Sequence, residues 1–278
     1  MRFRNVFLVL IVFLLGALMI LKMLDWYADQ SEWKKLSSLQ PTDPVRYDPS
    51  MVTDLPDPAQ RYFNFTIAPG TPLYTVAEID MGGLFSLGTK EEPNYQPMEA
   101  YQILVLPEGF VWRLKLPGIL PISGSDSGKW TRFGILGFIP VARMGGDADH
   151  TRSAYGRYVA EAVFWTPAAL LPREGVTWEE VNKNTARVTV THGKLSQAVD
   201  VKVSNEGQPI EVSFMRWSNA NPDKLHRLQP FGGTLSDFRV VQGFKLPFEI
   251  NAGTMYGTDE YFPFFKAEVK AIRFPKEK

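Results

Sequence analysis

Apolar side chains run from Val6 to Leu24 as VFLVLIVFLLGALMILKML. As a helix these ~19 residues rise roughly 28 Å, close to the roughly 30 Å hydrocarbon core of a bilayer, so the pattern predicts one transmembrane helix. Lys22 falls near the end of the run, where its stem can snorkel to the interface, and Trp26 and Tyr27 follow as an aromatic belt. A cleaved signal peptide is the competing reading; bulky Trp26, two positions before Ala28, fits cleavage-site grammar poorly and favours an uncleaved anchor. Beyond the run, Trp26, Trp33 and Leu36 recur near helical spacing, predicting that the helix continues from Asp25 to Leu36. Pro41, Pro44, Pro49, Pro56 and Pro58 then deny the chain a helix interior or a sheet ladder, which predicts a stalk. The globular part is expected to begin near Leu55 with a short helix, Asp57 as its N-cap and Pro58 in its first turn.

After Gly70 the pattern changes to short runs rich in Val, Ile, Thr and aromatic residues, broken by Gly, Pro and Asn, as antiparallel strands require. Ala186, Val188 and Val190 alternate with polar residues. His192-Gly193-Lys194 then turns the chain into Val199, Val201 and Val203, predicting a hairpin with one wet face. Asn205-Glu206-Gly207 turns again into Ile210, Val212 and Phe214. Further runs at 234–241, 246–256 and 264–274 complete a meander.

One segment breaks this pattern. Between Asp149 and Pro172, Tyr155, Tyr158, Val159, Ala162 and Ala169 recur at helical spacing, predicting a helix over 151–171 that Pro167 kinks or divides. It carries few polar positions, so both of its sides are expected to be covered, as for a helix lying in the concave face of a curved sheet. The expected organisation is therefore a cytoplasmic tip and transmembrane helix over 1–24, a helical extension and stalk over 25–54, and a β-rich domain over 55–278. The expected fold class is mainly β (α+β), a curved antiparallel sheet around a central helix.

Composition and charge narrow the partners. The chain has 30 basic and 30 acidic residues, so it lacks the broad positive field that supplies affinity for nucleic acid. Cysteine is absent, which excludes disulfides, thiolate metal sites, a cysteine nucleophile and a lipidated cysteine. Arg2 and Arg4 argue for an N-terminus inside the cell, whereas Lys22, Lys34 and Lys35 pull the other way. A short basic tail before a single apolar helix follows the signal-anchor plan, which predicts an extracytoplasmic, periplasmic domain.

The stretches LPDPAQRYF, LPEGFVWRLKL, GRYVAEAVFWTPAALLP and GVTWEEV, in that order, with the closing region from Tyr256-Gly257 to Arg273, resemble a bacterial family of membrane-anchored domains of unknown function. The resemblance covers nearly all of 55–274. It implies a half-barrel similar to that of bacterial lipoprotein carriers, and it implies no activity.

Candidate chemistry is sparse. Gly124-Ser125-Asp126-Ser127-Gly128-Lys129 has Asp126 where a nucleophile elbow needs serine, and Trp130 where a phosphate loop needs Ser or Thr, so a hairpin turn is expected. His150, His192 and His226 are far apart and unpaired at helical spacing, which predicts surface histidines and no metal site. Arg157 and Glu161, four apart, share a helix face that Trp165 extends, either as an ordinary ion pair or as charges brought into a concavity where they fix a polar head group. Together with Tyr158 they are the candidate ligand-binding residues. The apolar run Arg132–Gly146 is expected to be a buried strand pair; the alternatives are the lip of a cavity and a loop dipping into the bilayer.

Three functions fit these features. One is a module binding a lipid or other hydrophobic ligand near the membrane; the others are an envelope scaffold, and an envelope enzyme using Arg157 and Glu161. No cofactor, catalytic residue or protein partner is implied.

Overall fold

The computed structural model describes residues 2–275, so the far end of the expected 55–278 domain lies outside the described residues. Helix α1 (Arg2–Ser37) is continuous from the apolar run through Trp33. Among the described residues its stretch 5–37 is the one helix long and apolar enough, by length and composition, to cross a membrane. At about 1.5 Å per residue its 36 residues reach roughly 54 Å, so its last turns stand clear of the apolar run.

Those last turns are docked on a sheet. Asp25, Asp29 and Glu32 fall at i, i+4 and i+7, one helix face, and each meets a basic side chain. Asp25 accepts two bonds from Arg143 at 2.6 and 2.8 Å and pairs with Arg132 at 3.0 Å. Asp29 accepts from Arg113 Nε at 2.6 Å, and Glu32 pairs with Lys129. The Arg113 guanidinium also lies 4.1 Å from the centre of the Trp33 ring, and Leu36 is buried against Val76, Ile103, Val105 and Val111.

The proline-rich segment expected as a stalk is packed on the domain. Tyr47 and Val52 are buried, and Tyr47 exchanges backbone hydrogen bonds with Gly70 and Thr71 at 2.8 and 2.9 Å. The prolines exclude regular structure, but they do not exclude burial of the aromatic and aliphatic residues between them. Gln40 ties this segment to the first strand. Its Oε1 accepts the N–H groups of Thr75 (3.0 Å) and Val76 (2.9 Å), while its Nε2 donates to the Val76 carbonyl at 3.0 Å. Replacing Gln40 by Ala strands those backbone groups, and is expected to cost about 2–3 kcal/mol in urea unfolding of the full chain. A loss below about 0.5 kcal/mol would show instead that water takes over these bonds.

Helix α2 (Asp57–Thr66) has Pro56, not Asp57, at its cap position. Asp57 lies inside the first turn, where it pairs with Arg61 at 2.8 Å. Six strands follow: β1 (Val76–Ser86), β2 (Tyr95–Val105), β3 (Gly109–Leu116), β4 (Ile122–Ser127), β5 (Trp130–Ile135) and β6 (Ile139–Gly145). Helix α3 (Ala148–Trp165) and a single 3-10 turn (Pro167–Leu170) come next, so Pro167 divides the expected helix, and Leu171 lies beyond its end. Seven more strands close the chain: β7 (Val176–Asn182), β8 (Thr185–His192), β9 (Leu195–Val203), β10 (Pro209–Ser218), β11 (Arg227–Val241), β12 (Phe244–Thr254) and β13 (Phe262–Arg273).

All 13 strands form one curved, unclosed antiparallel sheet in the order β6-β5-β4-β3-β2-β1-β13-β12-β11-β10-β9-β8-β7. Two meanders run outward from the β1–β13 pair, and α3 connects the two outermost strands, β6 and β7, which places it across the concave face. The alternation read from the sequence sets the register: Ala186 pairs with Val201 and Val188 with Val199, all buried beneath α3 and α2. Edge strand β7 presents Glu179 and Glu180 to solvent, a charge pattern that discourages edge-to-edge pairing.

The Arg132–Gly146 run is a hairpin whose β5 half is partly buried, with Phe133 packed against the core, while its β6 half is not. On β6, Ile139, Val141 and Met144 are exposed, because the strand is an outermost edge and no layer covers it. The Leu136 N–H donates to the Pro121 carbonyl at 2.7 Å, which ties the hairpin tip to the β3–β4 loop. In that loop Ile119 is 98% exposed and Leu120 62%. The tip also meets α1: Lys22 reaches Gly137, whose positive φ of 74° makes the turn.

Candidate functional site

Three tyrosine hydroxyls hold helix α3 in place. Tyr155 donates to the Val190 carbonyl (3.2 Å), Tyr158 to Pro107 (3.0 Å), and Tyr62 from α2 to the Val163 carbonyl (2.6 Å). Burial pushes the Tyr155 phenol up to about 12 and Tyr158 higher still, so both remain neutral donors. Gly156 lets the helix approach β9 and β10: a Cβ there would sit 2.7 Å from Gln197 Oε1 and 3.3 Å from the Phe214 ring. Asp147 caps the helix by accepting the His150 N–H at 2.7 Å.

Between α3 and the sheet lies a cavity of about 270 Å³. Phe85, Trp112, Phe133, Phe164, Trp165, Phe214, Phe231, Phe264 and Phe265 wall it, with Gly232, Gly233 and Ala252 along its floor. The two glycines cannot be larger, since a Cβ on Gly233 would fall 2.2 Å from the Asn251 carbonyl oxygen. Asp126, Arg157, Glu161 and Arg216 form its one polar wall. A second chamber of about 470 Å³ shares Asp126, Arg216, Phe231 and Phe264 with the first, and is lined otherwise mostly by polar residues, among them His150, Ser218, His226 and Gln229, with Met144, Ala154, Ala220 and Pro230 between them.

The polar wall is a network centred on Arg157. Its Nε donates to Glu161 and its Nη1 to Asp126, both at 2.7 Å, and its Nη2 donates to Gln102 Oε1 at 3.3 Å. Gln102, fully buried, returns a bond from its Nε2 to the other Glu161 oxygen. The guanidinium also lies 4.5 Å from the Phe110 ring centre and 4.9 Å from that of Trp112. Burial works against its charge, but Glu161 and then Asp126 outweigh that and hold its pKa above the usual arginine value.

Arg216 differs. No ion pair is formed by it among the described residues, its Nε is buried without a hydrogen-bond partner, and its guanidinium lies 4.9 Å from the Phe231 ring centre. Burial first, and then repulsion from Arg157, bring its pKa down to about 10, against the pull of Asp126 and Glu161. It is still charged at neutral pH. Other buried nitrogens without a partner include Trp112 Nε1, Trp165 Nε1 and His150 Nδ1, and all of these residues line one or other chamber. Unpaired polar atoms are rare in protein interiors, and four of those found among the described residues belong to residues that line these two chambers.

Of the residues singled out in the sequence, Arg157, Glu161 and Trp165 meet at the cavity, with Trp165 only 1% exposed. Tyr158 does not line it; its ring packs on Phe110 and Tyr155, turned away from the charged wall. The 124–129 motif is mostly strand: residues through Ser127 belong to β4, and Asp126 points into the network. Two histidines depart from the surface expectation. His150 Nε2 is 3.1 Å from Thr131 Oγ1 and His226 Nδ1 is 3.5 Å from Asp149, and both residues line the polar chamber. Gln102 and Arg216 were not singled out. Each had a signal, Gln102 as the polar residue within an apolar run, and Arg216 as the third member of the alternation Val212, Phe214, Arg216.

A single curved antiparallel sheet holding a helix in its concavity, with a cavity between them, defines a half-barrel. The chain belongs to a family of unknown function, DUF6544, whose model matches residues 45–267 and so includes most of the proline-rich segment. Two solved structures show a distant likeness to this chain. A LolA superfamily protein from Nitrosomonas europaea is 11% identical, with 80% of this chain and 93% of that one covered and a TM-score of 0.42. A putative outer membrane lipoprotein-sorting protein domain from Vibrio parahaemolyticus is 12% identical, with 72% and 85% covered and a TM-score of 0.34. Comparison with curated proteins finds no match.

Proposed function

We propose that this chain is a membrane-anchored binding protein that holds the hydrocarbon part of one amphiphile in the cavity beneath α3. The observation that carries this is the cavity itself, an aromatic-walled space left open in an otherwise close-packed core. The cavity opens to solvent, so when unfilled it sets its aromatic rings against water. Burying a chain instead contributes roughly 0.8 kcal/mol per CH₂. The carboxylates of the polar wall are engaged by Arg157, Gln102 and Thr131, which favours a structural and positioning role over an acid–base one. Full-length protein in neutral-lipid nanodiscs, irradiated with a diazirine-bearing fatty acid, should be labelled on β10, β11 and β13. Label confined to α1 would contradict the proposal.

In this reading α1 spans the bilayer with its N-terminus inside, and the domain lies outside the cytoplasm. A C-terminal alkaline phosphatase fusion should be active, whereas a fusion with only cytoplasmic reporter activity would reverse the orientation. The β5–β6 tip touches Lys22, within the last turn of the apolar run, so Ile119, Leu120 and Leu136 lie at interface depth beside the anchor. The chain has no cysteine, so Ile119→Cys gives a single labelling site. An NBD group there should emit further to the blue in vesicles and be quenched by lipid-borne nitroxide. Quenching by aqueous iodide instead would place the tip in water.

A further inference from the structure

The two guanidinium groups of the site are in opposite situations. Arg157 gives bonds to Glu161, Asp126 and Gln102 and is held between Phe110 and Trp112, so its charge is answered within the protein. Arg216 is brought to the same wall by β10, one alternation beyond Phe214, and has no such partner. It stands where the aromatic cavity opens into the polar chamber, since it lines both. His150, whose Nδ1 is also buried and unpaired, faces the same chamber. A half-buried guanidinium set against an aromatic ring without a counter-charge is costly, and proteins answer such groups with an opposite charge. Asp126 and Glu161, the nearest carboxylates, are already bound to Arg157.

We propose that Arg216 is the seat of an acidic head group, a carboxylate or a phosphate, whose hydrocarbon chain occupies the aromatic cavity, with His150 as a second polar contact in the chamber. This rests on the binding function proposed above and names the class of amphiphile. A guanidinium offers both acids parallel N–H donors, so it recognises them by the same geometry. The occupants excluded are neutral lipids such as acylglycerols and esters, which supply no charge to answer Arg216.

The test uses the full chain in phosphatidylcholine nanodiscs and three diazirine probes of equal chain length: a fatty acid, a lysophosphatidate and a fatty-acid methyl ester. Label on peptides from β10 and β11 is quantified by mass spectrometry. The acid or the phosphate should label the wild type about tenfold or more above the ester, the ratio expected for one charged hydrogen-bonded contact. Whichever of the two labels more strongly identifies the source. Arg216→Met should bring labelling by the acid and the phosphate down to that of the ester, with a melting temperature equal to or above wild type; Arg216→Lys should keep part of the preference. Equal labelling by acid and ester in the wild type, or an undiminished preference in Arg216→Met, would overturn the head-group assignment while leaving the cavity occupied. No label on β10 or β11 from any probe would overturn the binding function itself.

Discussion

Arg157→Met is expected to destabilise the full chain by about 3–5 kcal/mol, because it leaves Asp126 and Glu161 in a partly buried site without their counter-charge. For a domain of this size that corresponds to a melting temperature lower by about 10 °C. The side chains of Arg157, Asp126 and Glu161 are only 15–18% exposed, so water can repair little of the loss. The neutral network Arg157→Met with Asp126→Asn and Glu161→Gln should recover much of it, since removing all partners costs less than orphaning some. Arg216→Met, on β10, should leave stability unchanged or improve it. The pair of outcomes separates a charge that holds the fold from one that waits for a ligand. If Arg157→Met melts within 1–2 °C of wild type, about the shift of a surface change, the network is solvated and the account of the polar wall is wrong.

Much of this architecture was legible in the chain, for identifiable reasons. The β8–β9 hairpin was readable because its inner face is uniformly Val and Ala, so a period of two survives without interruption. The division of α3 was readable from Pro167, and the long N-terminal helix from the length of its apolar run. The β5–β6 hairpin was not, because apolar composition marks a strand that avoids water and does not say whether core or membrane takes it up. The docking of α1 does not follow from its stripe of Asp25, Asp29 and Glu32 alone, although that has helical spacing; the basic partners come from β3, β5, β6 and the β4–β5 turn, and only the register of the folded sheet assembles them. At the site, Arg157, Glu161 and Trp165 shared a helix face and so came as a set. Asp126, Gln102 and Arg216 lie on three different strands, and nothing local to any of them announces the other two.

Ala252→Phe is expected to empty the cavity of ligand without unfolding the protein. Ala252 lies on the cavity floor, paired across strands with Gly233 on one side and Phe265 on the other. A phenyl ring placed there projects into the space proposed for the hydrocarbon chain and covers the bare backbone of Gly233, a pairing that strands favour. Overpacking a filled core costs about 1–3 kcal/mol, whereas a ring that fills a void removes a cost already present. The melting temperature should therefore hold or rise while chain binding falls tenfold or more, the loss expected when only two or three CH₂ groups are displaced. The direct measurement is native mass spectrometry of full-length protein released from nanodiscs, wild type beside Ala252→Phe, which equalises lipid adhering to α1. The account predicts one retained amphiphile on the wild type and none on Ala252→Phe; the same adducts on both, or none on the wild type, would contradict it.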